Sequence, residues 1–296
     1  GYSPIDFYGE DYPVIITEFL PNGSLNEIIK YEREKRQVEG WTPTKKLINI
    51  FGIASIMSYL HKNKVIHRDL KPANVLENEY LFPKIADFGL SKINHDKSSI
   101  TQESTKGIKG TIVYMAPEII TDCKYSEASD VYAYAFIVYE MVTLEQPFKN
   151  KIGVIQVMDA VKNGVRPDIK NTVPKCYQDL ITKCWSQDPN QRPTFNEIVQ
   201  ILKTNDDFIT DGVDKNEFND YIRIVNAGSS PIDPFKRFKR ITISDSIHIN
   251  VPKSTSISKS YSTILNELKN HPEFNELNKD TKDMFEKAFR NQRSNN

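Results

Sequence analysis

One run of residues, Val65-Ile66-His67-Arg68-Asp69-Leu70-Lys71-Pro72-Ala73-Asn74-Val75-Leu76, leaves the rest of the chain little freedom. Its polar part follows H-R-D-L-x-x-x-N, a pattern long and chemically mixed enough to be rarely met by chance. Two shorter motifs follow in order. Asp87-Phe88-Gly89 begins thirteen residues after Asn74, and Ala116-Pro117-Glu118 comes later. A three-residue motif is a weak signal by itself, whereas an ordered set at these spacings is a strong one.

The ordered set resembles the catalytic core of the eukaryotic protein kinases. That resemblance implies transfer of the ATP γ-phosphoryl group to protein hydroxyls, which needs in-line positioning and neutralised phosphate charge but little covalent work from the protein. It implies that Asp69 accepts the hydroxyl proton of a protein substrate and that Lys71 sits near the transferred phosphate. Asn74 and Asp87 would hold Mg²⁺ through oxygen ligands, which suit that small hard ion. His67 is expected to be structural, packed on Phe88. Arg68 is expected to pair with a phosphate in the activation loop, a bidentate task. Lys71, placed with Thr111, goes with Ser/Thr specificity in the family. The stretch Cys184-Trp185-Ser186-Gln187-Asp188-Pro189-Asn190-Gln191-Arg192-Pro193-Thr194 resembles the tyrosine-kinase-like group.

Composition narrows the classes. With 296 residues, 39% of them hydrophobic, the chain can bury a sizeable core. Its 39 basic and 39 acidic residues balance, so neither a nucleic acid nor an anionic membrane is expected as the main partner. No run approaches the roughly 20 apolar residues of a membrane span. The first residues carry no basic and then apolar region of a signal peptide. The chain does not begin with Met, which suggests a piece of a longer one. Cys123, Cys176 and Cys184 show no paired spacing; this points to a reducing, cytoplasmic location and away from zinc. Asn22-Gly23-Ser24 matches a glycosylation acceptor, expected to be unused in such a compartment.

Residues 1–20 read as two strands, one with Ile5, Phe7 and Tyr8 and one over Val14-Ile15-Ile16-Thr17, joined by a turn at Asp11-Tyr12-Pro13. The continuation from Glu18 to Leu25 resembles the kinase hinge. On that match Thr17 is the gatekeeper, and the backbone of Glu18 and Leu20 faces the adenine of ATP. Leu76 would lie under the adenine ring. Ser24 with Glu27 predicts a capping box opening a helix near 25–36. Thr42 with Pro43 predicts a helix start, and Leu47, Ile50, Phe51, Ala54, Met57 and Leu60 mark its apolar face through 63. Val75 and Leu76 are expected to pair with residues 83–86. Ser91, Ser98, Ser99, Thr101, Ser104 and Thr105 populate an expected activation segment at 90–115. An apolar helix is predicted over 126–143; it resembles the central helix of the kinase large lobe, which implies that Asp130 bonds back to the catalytic loop. Arg192 is expected to pair with Glu118, and further helices near 152–163, 175–184 and 194–203 complete the lobe.

The expected fold is α+β: a protein-kinase-like arrangement with a mostly helical large lobe and only the last strands of the small lobe. The resemblance covers about residues 3–204. No G-x-G-x-x-G occurs in residues 1–20 and no V-A-I-K-like stretch occurs anywhere, so weak nucleotide binding is expected of these residues alone. After Lys203 the composition turns to Asn, Lys, Ser and Asp, and 205–296 reads as a low-complexity tail with helices near 214–227 and 272–290. Two functions fit: a Ser/Thr protein kinase using ATP and Mg²⁺, or a catalytically impaired kinase fragment serving as a protein-interaction module. The first is preferred, because Asp69, Lys71, Asn74 and Asp87 are all intact.

Overall fold

The computed structural model describes residues 2–3, 14–15, 18–93, 111–151 and 153–227. The chain divides into two compact units, Leu20–Ser246 and the remainder. In the second of these, β1 (Tyr2–Ser3) pairs antiparallel with β2 (Val14–Ile15), Tyr2 opposite Ile15. The strand expected at Ile5–Tyr8 and the turn at Asp11–Pro13 lie outside the described residues.

Residues 20–227 begin with α1 (Leu25–Arg33). The backbone N–H of Ser24 donates to Glu27 Oε2 at 3.0 Å, closing the expected capping box. The helix stops short of residue 36 because Lys35 turns left-handed, φ 58°. Next, α2 (Pro43–Lys62) opens where expected, with Thr42 Oγ1 accepting from Lys45 N and proline at the first turn. Its apolar residues are not confined to one stripe. Ile48 and Ile53 are as buried as Leu47 and Ile50, because neighbours cover the helix on several sides.

Two short antiparallel pairs follow. The first joins β3 (Val65–Ile66) to β6 (Lys92–Ile93), and the second joins β4 (Val75–Glu77) to β5 (Pro83–Ile85). The second pair was expected from sequence; the first was not, since two-residue strands carry no periodicity. Then come α3 (Pro117–Asp122), α4 (Glu127–Thr143), α5 (Val154–Lys162), α6 (Lys175–Cys184), α7 (Phe195–Thr204) and α8 (Lys215–Ala227). From Ser129 to Met141 every residue of α4 is buried, so this helix is the centre of the core. It packs on α2 and α6, while α7 and α8 lie against α2.

The hydrophobic core does not end at residue 204. Phe208, Phe218, Tyr221 and Ile222 are buried in it. The helix expected near 214–227 is present as α8, and only the low-complexity reading of 206–227 is corrected, because an aromatic every few residues supplies a packing face that average composition conceals. The helix expected near 272–290 lies outside the described residues. Among the described residues no helix is long and apolar enough to cross a membrane.

Candidate active site

The loop from His67 to Asn74 is held between β3 and β4, and its shape is imposed from α4. Asp130, 2% exposed in the first turn of that helix, accepts from the backbone N–H of His67 and of Arg68, both at 2.9 Å. The first donor lies 63 residues away in sequence. His61 Nε2 reaches the same carboxylate at 2.9 Å. These bonds hold Arg68 at φ 71°, a left-handed conformation costly for a side chain with a Cβ. The sequence predicted the bond from Asp130 to the loop, but not the part played by His61.

His67 is fully buried. Its Nε2 contacts the Ala86 carbonyl at 3.0 Å and its Nδ1 accepts from Asp69 N at 3.3 Å. The ring meets Phe88 edge-on at 5.2 Å between centroids. With both nitrogens engaged the imidazole is a brace between the two motifs, as expected.

Asp69, Lys71, Asn74 and Thr111 converge. Lys71 Nζ donates to Asp69 Oδ2 at 2.6 Å and to Thr111 Oγ1 at 3.2 Å. Asn74 Nδ2 donates to the Asp69 carbonyl at 2.7 Å and to its Oδ2 at 3.1 Å. That turns Asn74 Oδ1 away from Asp69 and leaves it accepting no hydrogen bond from any described residue. Ala86 N donates to the Asn74 carbonyl at 2.9 Å, tying the start of the D-F-G motif to the loop. Asp87 is exposed and left-handed, φ 60°; one of its oxygens accepts from Gly89 N at 3.3 Å. Asn74 Oδ1 and the second Asp87 oxygen are hard oxygen donors without a hydrogen-bond partner among the described residues, so this donor set fits Mg²⁺. A cleft beside Asp69 is lined by Leu70, Thr111, Tyr114, Met115 and Ile119.

The remaining expected residues distribute unevenly. Leu20 and Leu76 are half-buried. Leu76 forms an isolated bridge with Ser24, and Glu77 N donates to the Gly23 carbonyl at 2.9 Å, so the chain leaving Leu20 runs beside β4. Thr17 lies outside the described residues, and Glu18 belongs to the other unit. Of the activation-segment hydroxyls, Ser91 donates to the His67 carbonyl at 3.1 Å; Ser98, Ser99, Thr101, Ser104 and Thr105 lie outside the described residues. The Arg68 guanidinium sits 5.0 Å from the centre of the Tyr125 ring. Asn22, of the glycosylation-like triplet, is buried and donates through Nδ2 to the Asn78 carbonyl. Arg192 and Glu118 form the expected pair in bidentate form, at 2.7 and 2.8 Å.

Residues 6–202 match the model of the protein tyrosine and serine/threonine kinase family, two thirds of the sequence. The chain belongs to that family. Among relatives of this kinase, serine/threonine-protein kinase STY17 of Arabidopsis thaliana is 36% identical over 190 residues, covering 64% of this chain and 31% of its own. A probable serine/threonine-protein kinase of Dictyostelium discoideum is 41% identical over 187 residues, 63% of this chain and 19% of its own. The dual specificity protein kinase shkE of the same organism is 42% identical over 139 residues, 47% of this chain and 19% of its own. The chain thus spans a third or less of the length of these curated relatives.

Two further features of this chain escaped sequence reading. Tyr114 donates to Glu140 Oε1 at 2.6 Å, and Arg33 from α1 reaches Glu140 Oε2 at 3.4 Å. Burial raises the Glu140 carboxyl, partly offset by Tyr114 and Arg33, and burial beside Glu140 pushes the Tyr114 hydroxyl up. Glu77 is the second. It is fully buried, with neither carboxyl oxygen bonded within the described residues, and burial holds its carboxyl far above the usual range. Asn49 Oδ1 is likewise unbonded, and both Asn49 N–H groups are committed to the Lys45 and Leu81 carbonyls. Burial outweighs the opposing Asn49 side chain and Lys45 charge and favours the protonated form of Glu77. An alternating V-L-E strand gave no sign that its acid points inward.

Proposed function

We propose that this chain transfers the γ-phosphoryl group of ATP to serine and threonine hydroxyls of protein substrates, with Mg²⁺ held by Asn74 and Asp87. The observation that carries this reading is the contact of Lys71 Nζ with both Asp69 Oδ2 and Thr111 Oγ1. It fixes a carboxylate, a cation and a hydroxyl around the cleft where an incoming hydroxyl would lie. Asp69 Oδ2 is occupied by Lys71 and Asn74, which leaves Oδ1 to orient that hydroxyl and accept its proton. Bound Mg²⁺ supplies charge neutralisation on the phosphate oxygens. His67 keeps Asp69 and Phe88 in place. Leu76 and Leu20 offer apolar surface for adenine.

The names of the relatives support Ser/Thr chemistry, and one of them names dual specificity. Phosphoamino-acid analysis of the product separates the two: phosphoserine and phosphothreonine are expected here, and mainly phosphotyrosine would overturn the assignment. Activity itself is tested with labelled ATP and a generic protein acceptor, on the 296-residue chain and on a version extended by a kinase small lobe. In whichever form transfers phosphate, Asp69→Asn should lower turnover by about 10²–10⁴-fold, the range for a lost positioned acid or base. Unchanged turnover would remove Asp69 from the reaction, and absence of transfer from both forms would favour an interaction module.

A further inference from the structure

The core extends past residue 202, where the match to the family model stops, and the added helix α8 reaches the hairpin that carries the candidate metal ligands. Asn74 immediately precedes β4, and Asp87 follows β5 by two residues. At this open end the two arms are joined through Ala86 N and the Asn74 carbonyl. At the closed end Asn78 Oδ1 accepts from the N–H groups of Tyr80 and Phe82, and Asn78 N donates to the Phe82 carbonyl.

That closed end is clamped by α8 and α2. The Tyr221 ring lies 4.6 Å from the Phe82 ring, and also packs on Phe51 of α2 at 6.2 Å. Gly52 makes room for this approach. A Cβ there would fall 2.4 Å from the Tyr221 hydroxyl oxygen and 2.6 Å from Pro83 Cγ. Lys45 of α2 pairs with Glu217 of α8 at 2.8 Å, while its Nζ sits 4.5 Å from the centre of the Phe82 ring. The helix is anchored at its start, where Asp214 Oδ1 accepts from Asn216 N and Glu217 N and Asp214 N donates to Thr44 Oγ1.

We propose that Tyr221, together with Glu217 acting through Lys45, is a positioning residue for the metal–nucleotide site. It fixes the closed end of the β4–β5 hairpin and thereby the relation of Asn74 to Asp87. A hairpin with three residues per strand has little rigidity of its own in water, so its ends are only as well placed as its packing allows. Ligand geometry tolerates errors of about 0.5 Å before affinity falls. The proposal rests on reading Asn74 and Asp87 as the Mg²⁺ ligands.

The test uses the full chain with Tyr221→Leu and the milder Glu217→Gln. Hydrogen exchange at the Asn78 and Ala86 amides should accelerate at least tenfold in Tyr221→Leu and about threefold in Glu217→Gln, with α4 amides unchanged. The dissociation constant of ADP should rise at least fivefold in the presence of Mg²⁺ and less than twofold in its absence. Unchanged exchange at Asn78 and Ala86 while α8 amides open would overturn the proposal, as would equal weakening with and without Mg²⁺. A wild-type chain whose ADP affinity ignores Mg²⁺ would instead sink the ligand assignment, and the exchange data would still decide whether α8 holds the hairpin. Glu217→Gln carries the same readouts if Tyr221→Leu does not fold.

Discussion

Removing the Asp130 carboxylate should release the catalytic loop. In Asp130→Ala, the N–H groups of His67 and Arg68 and the His61 Nε2 lose their acceptor inside the protein. A hydrogen bond to a charged group contributes about 1.5–3 kcal/mol, so the two amides together account for about 3–6 kcal/mol. Arg68 then relaxes from its left-handed conformation, returning about 1–2 kcal/mol. A net loss of about 2–4 kcal/mol remains, a sizeable part of a domain's 5–15 kcal/mol. At a urea m-value of about 2–3 kcal/mol/M the midpoint should fall by about 1 M or more. Asp130→Asn keeps one acceptor oxygen and should lose about half as much. Hydrogen exchange localises the effect to the amides of His67 and Arg68. A midpoint within about 0.3 M of wild type with both amides still protected would refute this account of the loop.

Arg192→Leu should cost about 3–5 kcal/mol, because it leaves Glu118 without its bidentate partner and the Ala128 and Ser186 carbonyls without a donor. Adding Glu118→Leu should restore at least about 1 kcal/mol by urea titration, whereas additive losses would deny the coupling. Gly52→Ala gains about 1 kcal/mol of helix propensity but meets Tyr221 and Pro83, and overpacking of about 1–3 kcal/mol should win. Tyr221→Phe in that background should recover part of the loss, and a stabilised Gly52→Ala would contradict the packing. Burial raises the Glu77 carboxyl well above 4.5, the value near which it ionises in the unfolded chain. Above that pH the folded chain binds the extra proton, so wild-type stability should fall as pH rises, and Glu77→Gln should remove that component. Thermal midpoints of the two should therefore diverge from pH 5 to pH 8 in favour of Gln; parallel profiles would show Glu77 ionised.

The catalytic loop, the D-F-G motif and the boundaries of α2, α6 and α7 were legible in the sequence, for a local reason. Pro43 behind Thr42, Ser24 with Glu27, and an ordered set of polar motifs each act over a few residues. The pairing of Arg192 with Glu118 and of Lys71 with Thr111 came from the family pattern, and the structure places both pairs in contact. The β3–β6 pair, the Tyr114–Glu140–Arg33 network and the inward-facing Glu77 were not legible. Each depends on which distant surface covers a residue, and two-residue strands or a single acid in V-L-E carry no period to report it. At 206–227 the helix was legible but its burial was not. There, polar composition outweighed the few aromatics in any average, yet Phe218 and Tyr221 find a ready-made groove at Phe51, Gly52 and Phe82. Sequence alone determined which chemical groups this chain carries and roughly where its helices start. Only the tertiary structure decided which of them meet, because burial and donor–acceptor satisfaction are properties of surfaces brought together from far apart in the chain.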